Sequence, residues 1–412
     1  MENLTHTLIG VLVGETAARS TVTSADGLPP QRRRNFLVTL AAIASNAPDL
    51  DLLASLIGRN KLDYLLEHRG YTHTLAGALI IAAVLCATCE IWCRWRRWSL
   101  STQDRLQLAG IAVLSLLLHI AMDFTNNYGV HPLWPFYNGW LYGDTIFIWE
   151  PLLWTAAAPL VFLLRTTVAR TLVAALLATA IAVCFTSGLV PLPLALLMTL
   201  LTVAMLWIGR RAAPQIALLS GIAAWFGVTT AFAISHGIVR QQLQSFVVQR
   251  WPAVTVLDYV LTPMPANPVC WDVMLPMIDG NEYVIRHGTW SLLPKLLAAT
   301  HCPGHDLFRH ITAPITAVTD PPQQVVSWLG EIRLPRTQVS ELASQNCEAA
   351  AFLRFARVPW TLRRGHHWII GDLRYDREPE LGFAELELND GALRCPSNVP
   401  PWIAPRSDLL AQ

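Results

Sequence analysis

Eight stretches of this 412-residue chain are apolar over lengths close to what a bilayer demands: 4–20, 36–56, 72–93, 107–124, 146–164, 171–190, 192–209 and 214–238. A helix needs about 20 apolar residues to cross the hydrocarbon layer. Backbone inside that layer must satisfy its own hydrogen bonds, which leaves helices or closed barrels. Charged residues make up 14% of the chain, against about 25% in soluble domains. The expectation is therefore a polytopic helical membrane protein of about eight segments. Polar residues interrupt the first two stretches, which are expected to be half-buried or re-entrant. The start MENLTHTLIG has no basic n-region and no small-residue cleavage site, so its apolar run is expected to be a retained helix. No Met-Gly start or C-terminal prenylation box is present. A net charge of +1 gives no electrostatic case for nucleic acid as a partner.

The character of the chain changes near residue 240, where prolines, tryptophans and charges spread and apolar runs shorten. The expected division is a helical membrane domain over 1–239 and a β-rich, mixed α/β domain over 240–412, the whole being mainly α. Alternation predicts strands at Glu282–His287, His367–Leu373 and Phe383–Leu388, with turns at Asp279-Gly280 and Asp390-Gly391. Val325–Ala356 reads as a helix or two. Four arginine clusters set the orientation, because cytoplasmic loops carry the Lys/Arg excess: Arg32-Arg33-Arg34, Arg94 to Arg97, Arg165 with Arg170, and Arg210-Arg211. With all four in the cytoplasm, the eight segments alternate and the 240–412 domain lies outside. Cys270, Cys302, Cys347 and Cys395 fall in that domain. An oxidising compartment permits two disulfides there, with three connectivities open, and four free thiols are the alternative. Cys86, Cys89, Cys93 and Cys184 read as ordinary buried thiols of apolar segments.

Ionisable side chains sit at the ends of these apolar runs, where proximity to lipid makes them expensive and thus functional candidates. His6 opens the first run, Asp49 and Asp51 close the second, the motif HRGYTH (His68–His73) opens the third, and His119 with Asp123 closes the fourth. The charge-derived topology brings all of them to one face. His119 and Asp123 are four apart and share a helix side, which suits zinc or another divalent first-row ion. The same spacing also suits Asp123 as outer partner of His119, or an ion pair between helices. Pro48 puts Asp49 and Asp51 on a turn, where two carboxylates repel unless a cation lies between them; an Asx-turn or helix cap explains one of them. His68 and His73 are five apart, so they straddle a loop-to-helix junction, with Gly70 permitting tight backbone and Arg69 placed to hold a phosphate or a carboxylate. His301, Cys302, His305 and His310 read as an ordinary turn, and His366 and His367 as surface residues.

These motifs resemble the YdjM-type, LexA-regulated, membrane-bound metal-dependent hydrolases, a family similar in its motif pattern to zinc-dependent phospholipase C and P1 nuclease folds. The resemblance is carried by Thr5-His6, Pro48 to Asp51, His68 to His73, His119 to Asp123, Asn127-Tyr128-Gly129, Pro135-Phe136 and the acidic stretch Gly143-Asp144 to Glu150-Pro151. It covers roughly the first 150 residues. Thr74 and Glu150 depart from the serine and aspartate expected there. The resemblance implies a hydrolase of the bacterial inner membrane. Its expected metal ligands are His6, Asp49, Asp51, His68, His73, His119 and Asp123, with zinc the first choice of divalent metal. Zinc would lower the pKa of a bound water toward about 7; one of Asp49, Asp51 or Asp123 would serve as general base, and Arg69 would stabilise phosphoryl charge. Membrane lipids are the expected surroundings and a phosphodiester or lipid-linked molecule the expected substrate. The competing readings are a non-enzymatic membrane regulator or assembly factor with a structural metal, and an ion-coupled transporter. The latter is disfavoured because its sites lie at the midplane between repeats.

Overall fold

The computed structural model describes residues 1–20, 27–52, 61–303, 312–377, 381–389, 395, 396 and 398–410. His305, His310 and the Asp390-Gly391 turn lie outside the described residues. Among the described residues, ten α-helices precede the first strand: α1 (Asn3–Ser20), α2 (Pro30–Ala44), α3 (Lys61–Glu67), α4 (Leu75–Trp95), α5 (Thr102–Phe124), α6 (Pro151–Thr155), α7 (Leu160–Leu163), α8 (Thr167–Thr186), α9 (Leu192–Arg211) and α10 (Pro214–Arg250). Among the described residues, α4, α5, α8, α9 and α10 are long and apolar enough to cross a membrane. Their exposed faces are apolar: Leu79, Ile80 and Ile91 on α4 and Leu197, Leu200 and Trp207 on α9 all stand at more than half exposure.

The other three expected segments take different forms. α1 is buried against α2, α5 and α10. The second run ends as a helix at Ala44 and turns through a 3₁₀ turn at Ala47–Leu50, because Pro48 interrupts the backbone ladder. The fifth is broken into α6 and α7, with Pro159 between them. They still run between the same two ends of the bundle. At one end, Arg34 Nη2 donates to Leu163 O (3.1 Å), Gln215 Nε2 donates to Arg19 O (2.9 Å), and the Arg32 guanidinium lies 4.6 Å from the Trp98 ring. The arginine clusters thus gather at one end and the candidate ligands at the other. Close packing uses small residues: a Cβ on Gly14 would meet Val38 Cα at 2.9 Å, and one on Gly221 would meet Ala156 O at 2.5 Å.

α10 has 37 residues, about 55 Å at 1.5 Å per residue. It outruns a ~30 Å hydrocarbon layer and carries the chain into the β-rich region, ending well beyond residue 239. There β1 (Thr255–Val256), β2 (Val260–Met264), β3 (Asn267–Asp279), β4 (Glu282–Ser291) and β5 (Val326–Pro335) form an antiparallel sheet in which β3 pairs with β1, β2 and β4, and β4 with β5. Gly280 and Asn281 make the β3–β4 turn, with Gly280 at φ +60 and Asp279 paired to Glu282 at its base. Val325–Ala356 supplies the strand β5 as well as two helices, α11 (Gln338–Gln345) and α12 (Cys347–Phe352). A second sheet follows, β6 (Pro359–Arg364), β7 (His367–Asp372) and β8 (Glu385–Asn389), and then α13 (Ser407–Leu410). Disulfides join Cys270 to Cys302 and Cys347 to Cys395, and Cys86, Cys89, Cys93 and Cys184 are free. His301 is exposed, as are His366 and His367 at the β6–β7 turn.

The two halves share their cores. Val239, Leu243 and Val247 of α10 pack with Trp271, Val273 and Trp290 of the first sheet. Leu62, Leu65 and Leu66 of α3 pack with Phe352, Trp360 and Trp402.

Candidate metal centre

Three local structures deliver the ligands. The 3₁₀ turn Ala47–Leu50 presents Asp49, followed by Asp51. After α3 the chain reverses at Arg69, which takes a left-handed φ of +60, and Gly70 follows where a Cβ would lie 2.7 Å from Glu67 O. A 3₁₀ turn, Tyr71–His73, then leads into α4, capped by Thr74 Oγ1 accepting from Gly77 N at 2.8 Å. The last turns of α5 supply His119 and Asp123, four apart on one face as the spacing implied.

These elements converge Asp49, His73, His119 and Asp123, all buried, on one point. His73 Nε2 lies 3.1 Å from His119 Nε2, 3.2 Å from Asp49 Oδ1 and 3.2 Å from Asp123 Oδ2. His119 Nε2 lies 3.5 Å from Asp49 Oδ1 and 3.3 Å from Asp123 Oδ2. These five separations are 3.1–3.5 Å, and the ligand atoms of the group all lie within 4.8 Å of one another; tetrahedral edges of about 3.3 Å correspond to bonds of about 2 Å, the length of zinc bonds to imidazole nitrogen and carboxylate oxygen.

The hydrogen-bond network fixes what these atoms offer. His119 Nδ1 donates to Ser45 O at 2.7 Å, leaving a lone pair on Nε2. His73 Nδ1 is held by Thr72 Oγ1 (3.0 Å), which itself donates to Asp51 Oδ2 (3.0 Å), so its Nε2 also carries a lone pair. Two lone pairs thus face each other at 3.1 Å beside two carboxylates, and buried Asp123 Oδ2 has no hydrogen-bond partner among the described residues. An unpartnered buried acceptor is costly, and a cation at the centre removes that cost. The donor set of two imidazoles and two carboxylates fits a divalent first-row ion.

The remaining expected ligands surround this core. Asp51 accepts from His68 Nδ1 (3.1 Å), Arg69 N (3.0 Å) and Thr72 Oγ1 (3.0 Å), so it orients the histidines from behind, the usual carboxylate–histidine arrangement. It also forms, with Asp49 and His68, a second group with metal-ligand spacing that shares Asp49 with the first. Burial opposes ionisation of Asp49 and Asp51, but the histidines against them outweigh it and hold both carboxyls well below the usual range. Burial lowers His68 despite its bond to Asp51. His6 stacks on His119 with centroids 3.8 Å apart, and its Nε2 is 3.2 Å from Asp123 Oδ1. Arg69 spends its guanidinium on Asp123 Oδ1 (3.0 Å) and Asn126 Oδ1 (2.8 Å), over the Tyr128 ring, and its Nε has no hydrogen-bond partner among the described residues.

Asp49, His68 and Arg69 open onto a chamber of about 540 Å³. Its far wall is Thr262, Tyr375, Arg377 and Phe383, from the β-rich region. Sequence reasoning did not reach these residues, and nothing in their local pattern marks them. It also passed over His131, which supports the motif by its bond to Arg69 O (3.3 Å) and its stacking on Trp402. The acidic stretch has a structural use: Asp144 takes a bidentate ion pair from Arg357 (2.8 Å each), and Glu150 accepts from Leu152 N and Ala266 N.

Residues 1–190 match the model of the YdjM inner membrane protein family. All four members of the buried group, and every other expected ligand, lie inside the YdjM segment, whereas α9, α10 and the β-rich region lie beyond it. The chain is also similar to the uncharacterized protein YfhP of Bacillus subtilis (strain 168), at 28% identity over 153 residues. That similarity covers 37% of this chain and 43% of YfhP, less than half of either. No solved structure gives a significant match. The YdjM match and the five apolar helices together support an inner membrane protein.

Proposed function

We propose that this is a metal-dependent hydrolase of the inner membrane, acting on a phosphodiester or lipid-linked substrate at the outer membrane–water interface. The observation that carries the reading is the convergence of Asp49, His73, His119 and Asp123 on one point, beside a chamber walled partly by guanidinium groups. When bound, a divalent ion, zinc first among them, supplies Lewis acidity and an activated water. The residues around it have distinct tasks. Asp51 orients His68 and His73. Arg69 positions Asp123, and with Arg377 gives the chamber positive charge suited to a phosphate ester. Asp49 belongs to both ligand groups and lines the chamber, so it is the ligand carboxylate that ties the metal centre to the substrate space. The extracytoplasmic orientation is supported by the gathering of arginines at the opposite end and by the two disulfides.

The test is turnover: purified protein in lipid bilayers, supplied with zinc or manganese, screened against phospholipids and soluble phosphodiesters. Hydrolysis lost in Asp49→Asn is the expected result. One feature favours a second reading, a membrane regulator or assembly factor with a structural metal: four protein donors around one point close a tetrahedron, as in structural zinc sites. Stoichiometric metal with no turnover across the screen selects that reading.

A further inference from the structure

A second cavity of about 370 Å³ lies beside the chamber, within the ordinary size range of ligand sites. Its lining is almost wholly apolar and includes Trp154, Leu176, Ala180 and Cys184. Phe147 lines both spaces, with the Arg377 guanidinium 5.9 Å from its ring. The floor is buried, Ala180 and Cys184 being 3% exposed, whereas Trp149 and Val183 at the rim are 55% and 51% exposed. Val183 lies toward the ligand end of α8, one of the helices long and apolar enough to span a bilayer, and Trp149 stands just before α6. A tryptophan at such a position suits the headgroup level of a membrane. The geometry therefore joins a chamber that bears both guanidinium and carboxylate groups to an apolar slot with an exposed apolar rim.

We propose that the slot takes one hydrocarbon chain of a membrane lipid whose phosphate-bearing headgroup occupies the chamber. This rests on the chamber being the site of a lipid phosphodiester, and it narrows the substrate class to a molecule with a phosphate and a flexible chain on either side of Phe147. Soluble phosphodiesters leave the slot unused and forgo its apolar burial. The β-rich region shapes both spaces, through Arg377 and Thr262 in the chamber and Pro265 in the slot.

The experiment places the full chain in nanodiscs containing phosphatidylglycerol with a diazirine near the end of one acyl chain. After illumination, labelled peptides are expected to concentrate in 147–154 and 176–190. Val183→Trp, at the exposed rim, is expected to cut that labelling about tenfold, the worth of roughly two buried methylenes. Ala180→Trp repeats the blockade from the floor. Diacylglycerol with the same chain lacks the phosphate and should label the slot about tenfold less, by the same conversion. Labelling spread evenly over the lipid-facing residues of α4, α9 and α10, or undiminished in both variants, overturns the proposal. A covalent dimer from Val183→Cys under oxidation also overturns it, by giving the slot to a second copy of the chain. Metal content read on the same samples separates the two ideas. Metal with no slot labelling defeats the slot alone, whereas slot labelling without metal defeats the hydrolase reading and leaves the slot standing.

Discussion

Two buried charge clusters in this protein are built on opposite terms. At the junction between the halves, one guanidinium serves two carboxylates: Arg357 bonds both oxygens of Asp144 and both of Asp258, at 2.8–3.3 Å, over the Tyr142 ring at 4.0 Å. Its donors are spent and its acceptors answered. In the metal centre two imidazole lone pairs and two carboxylates face one another, with Asp123 Oδ2 unpartnered. The first cluster's charges answer one another in full, whereas in the second the Arg69 guanidinium and the Met1 ammonium reach Asp123 Oδ1 only, and the edge of Oδ2 and the two imidazole nitrogens is left for a metal ion. The difference separates a charged group kept for architecture from one kept for chemistry.

The largest effect that sharpens this contrast is expected at the closed cluster. Arg357→Ala takes the ion pair from buried Asp144, while half-buried Asp258 keeps Arg406 at 3.7 Å, and should cost about 3–5 kcal/mol, read as a lowered unfolding midpoint, with metal content per folded chain unchanged. The open cluster should respond to metal instead. Zinc at a hundred times its dissociation constant should stabilise the wild type by about 2.7 kcal/mol. In thermal unfolding that gain should vanish with His73→Ala and persist, on a lower baseline, in Arg357→Ala. Equal gains in wild type and His73→Ala would erase the distinction. A smaller effect is expected of Asp51→Asn, which keeps the shape but weakens the grip on His68 and His73. Metal affinity should fall about 10–100-fold in competition with a chelating dye, rather than disappear.

The smallest effect concerns Glu150, where the acidic stretch meets the β-rich region. Burial pushes its carboxyl up to about 8. A carboxyl raised in the folded state is protonated there while ionised in the unfolded chain, so stability is full below the unfolded value and declines as pH rises toward the folded one. Between pH 7 and 8 the wild type should lose about 1 kcal/mol relative to Glu150→Gln, measured by denaturant unfolding. A pH-independent difference between the two would place the carboxyl elsewhere on the scale.

How far this was legible in the sequence depends on the physics behind each residue. His6, Asp49, His68, His73, His119 and Asp123 stood out because ionisable groups at the ends of apolar runs are rare unless used, and the arginine clusters were enough to bring them to one end. The division of labour among them was not legible. That Asp51 stands behind two histidines follows from the left-handed turn at Arg69, which no periodicity announces. Arg69 reads as a holder of either a phosphate or an Asp carboxylate, and it is the carboxylate of Asp123, together with Asn126, that takes up most of its guanidinium. Segment lengths misled where proline intervened: Pro48 and Pro159 cut apolar runs that hydropathy alone reads as continuous. The chamber's far wall was invisible for another reason. Tyr375 and Arg377 lie some 250 residues from Asp123 and reach the site only through the packing of the β-rich region on α3 and α10.

The central claim is that Asp49, His73, His119 and Asp123 hold a divalent ion, and metal analysis of the gently purified full chain tests it most directly. At least about one equivalent of zinc or another first-row ion per chain is expected, given a four-donor site. The ion should be lost in the His73→Ala and Asp123→Asn double variant while the unfolding transition persists. Wild-type protein that carries no stoichiometric metal, and takes none up on dialysis against zinc or manganese, would contradict the account.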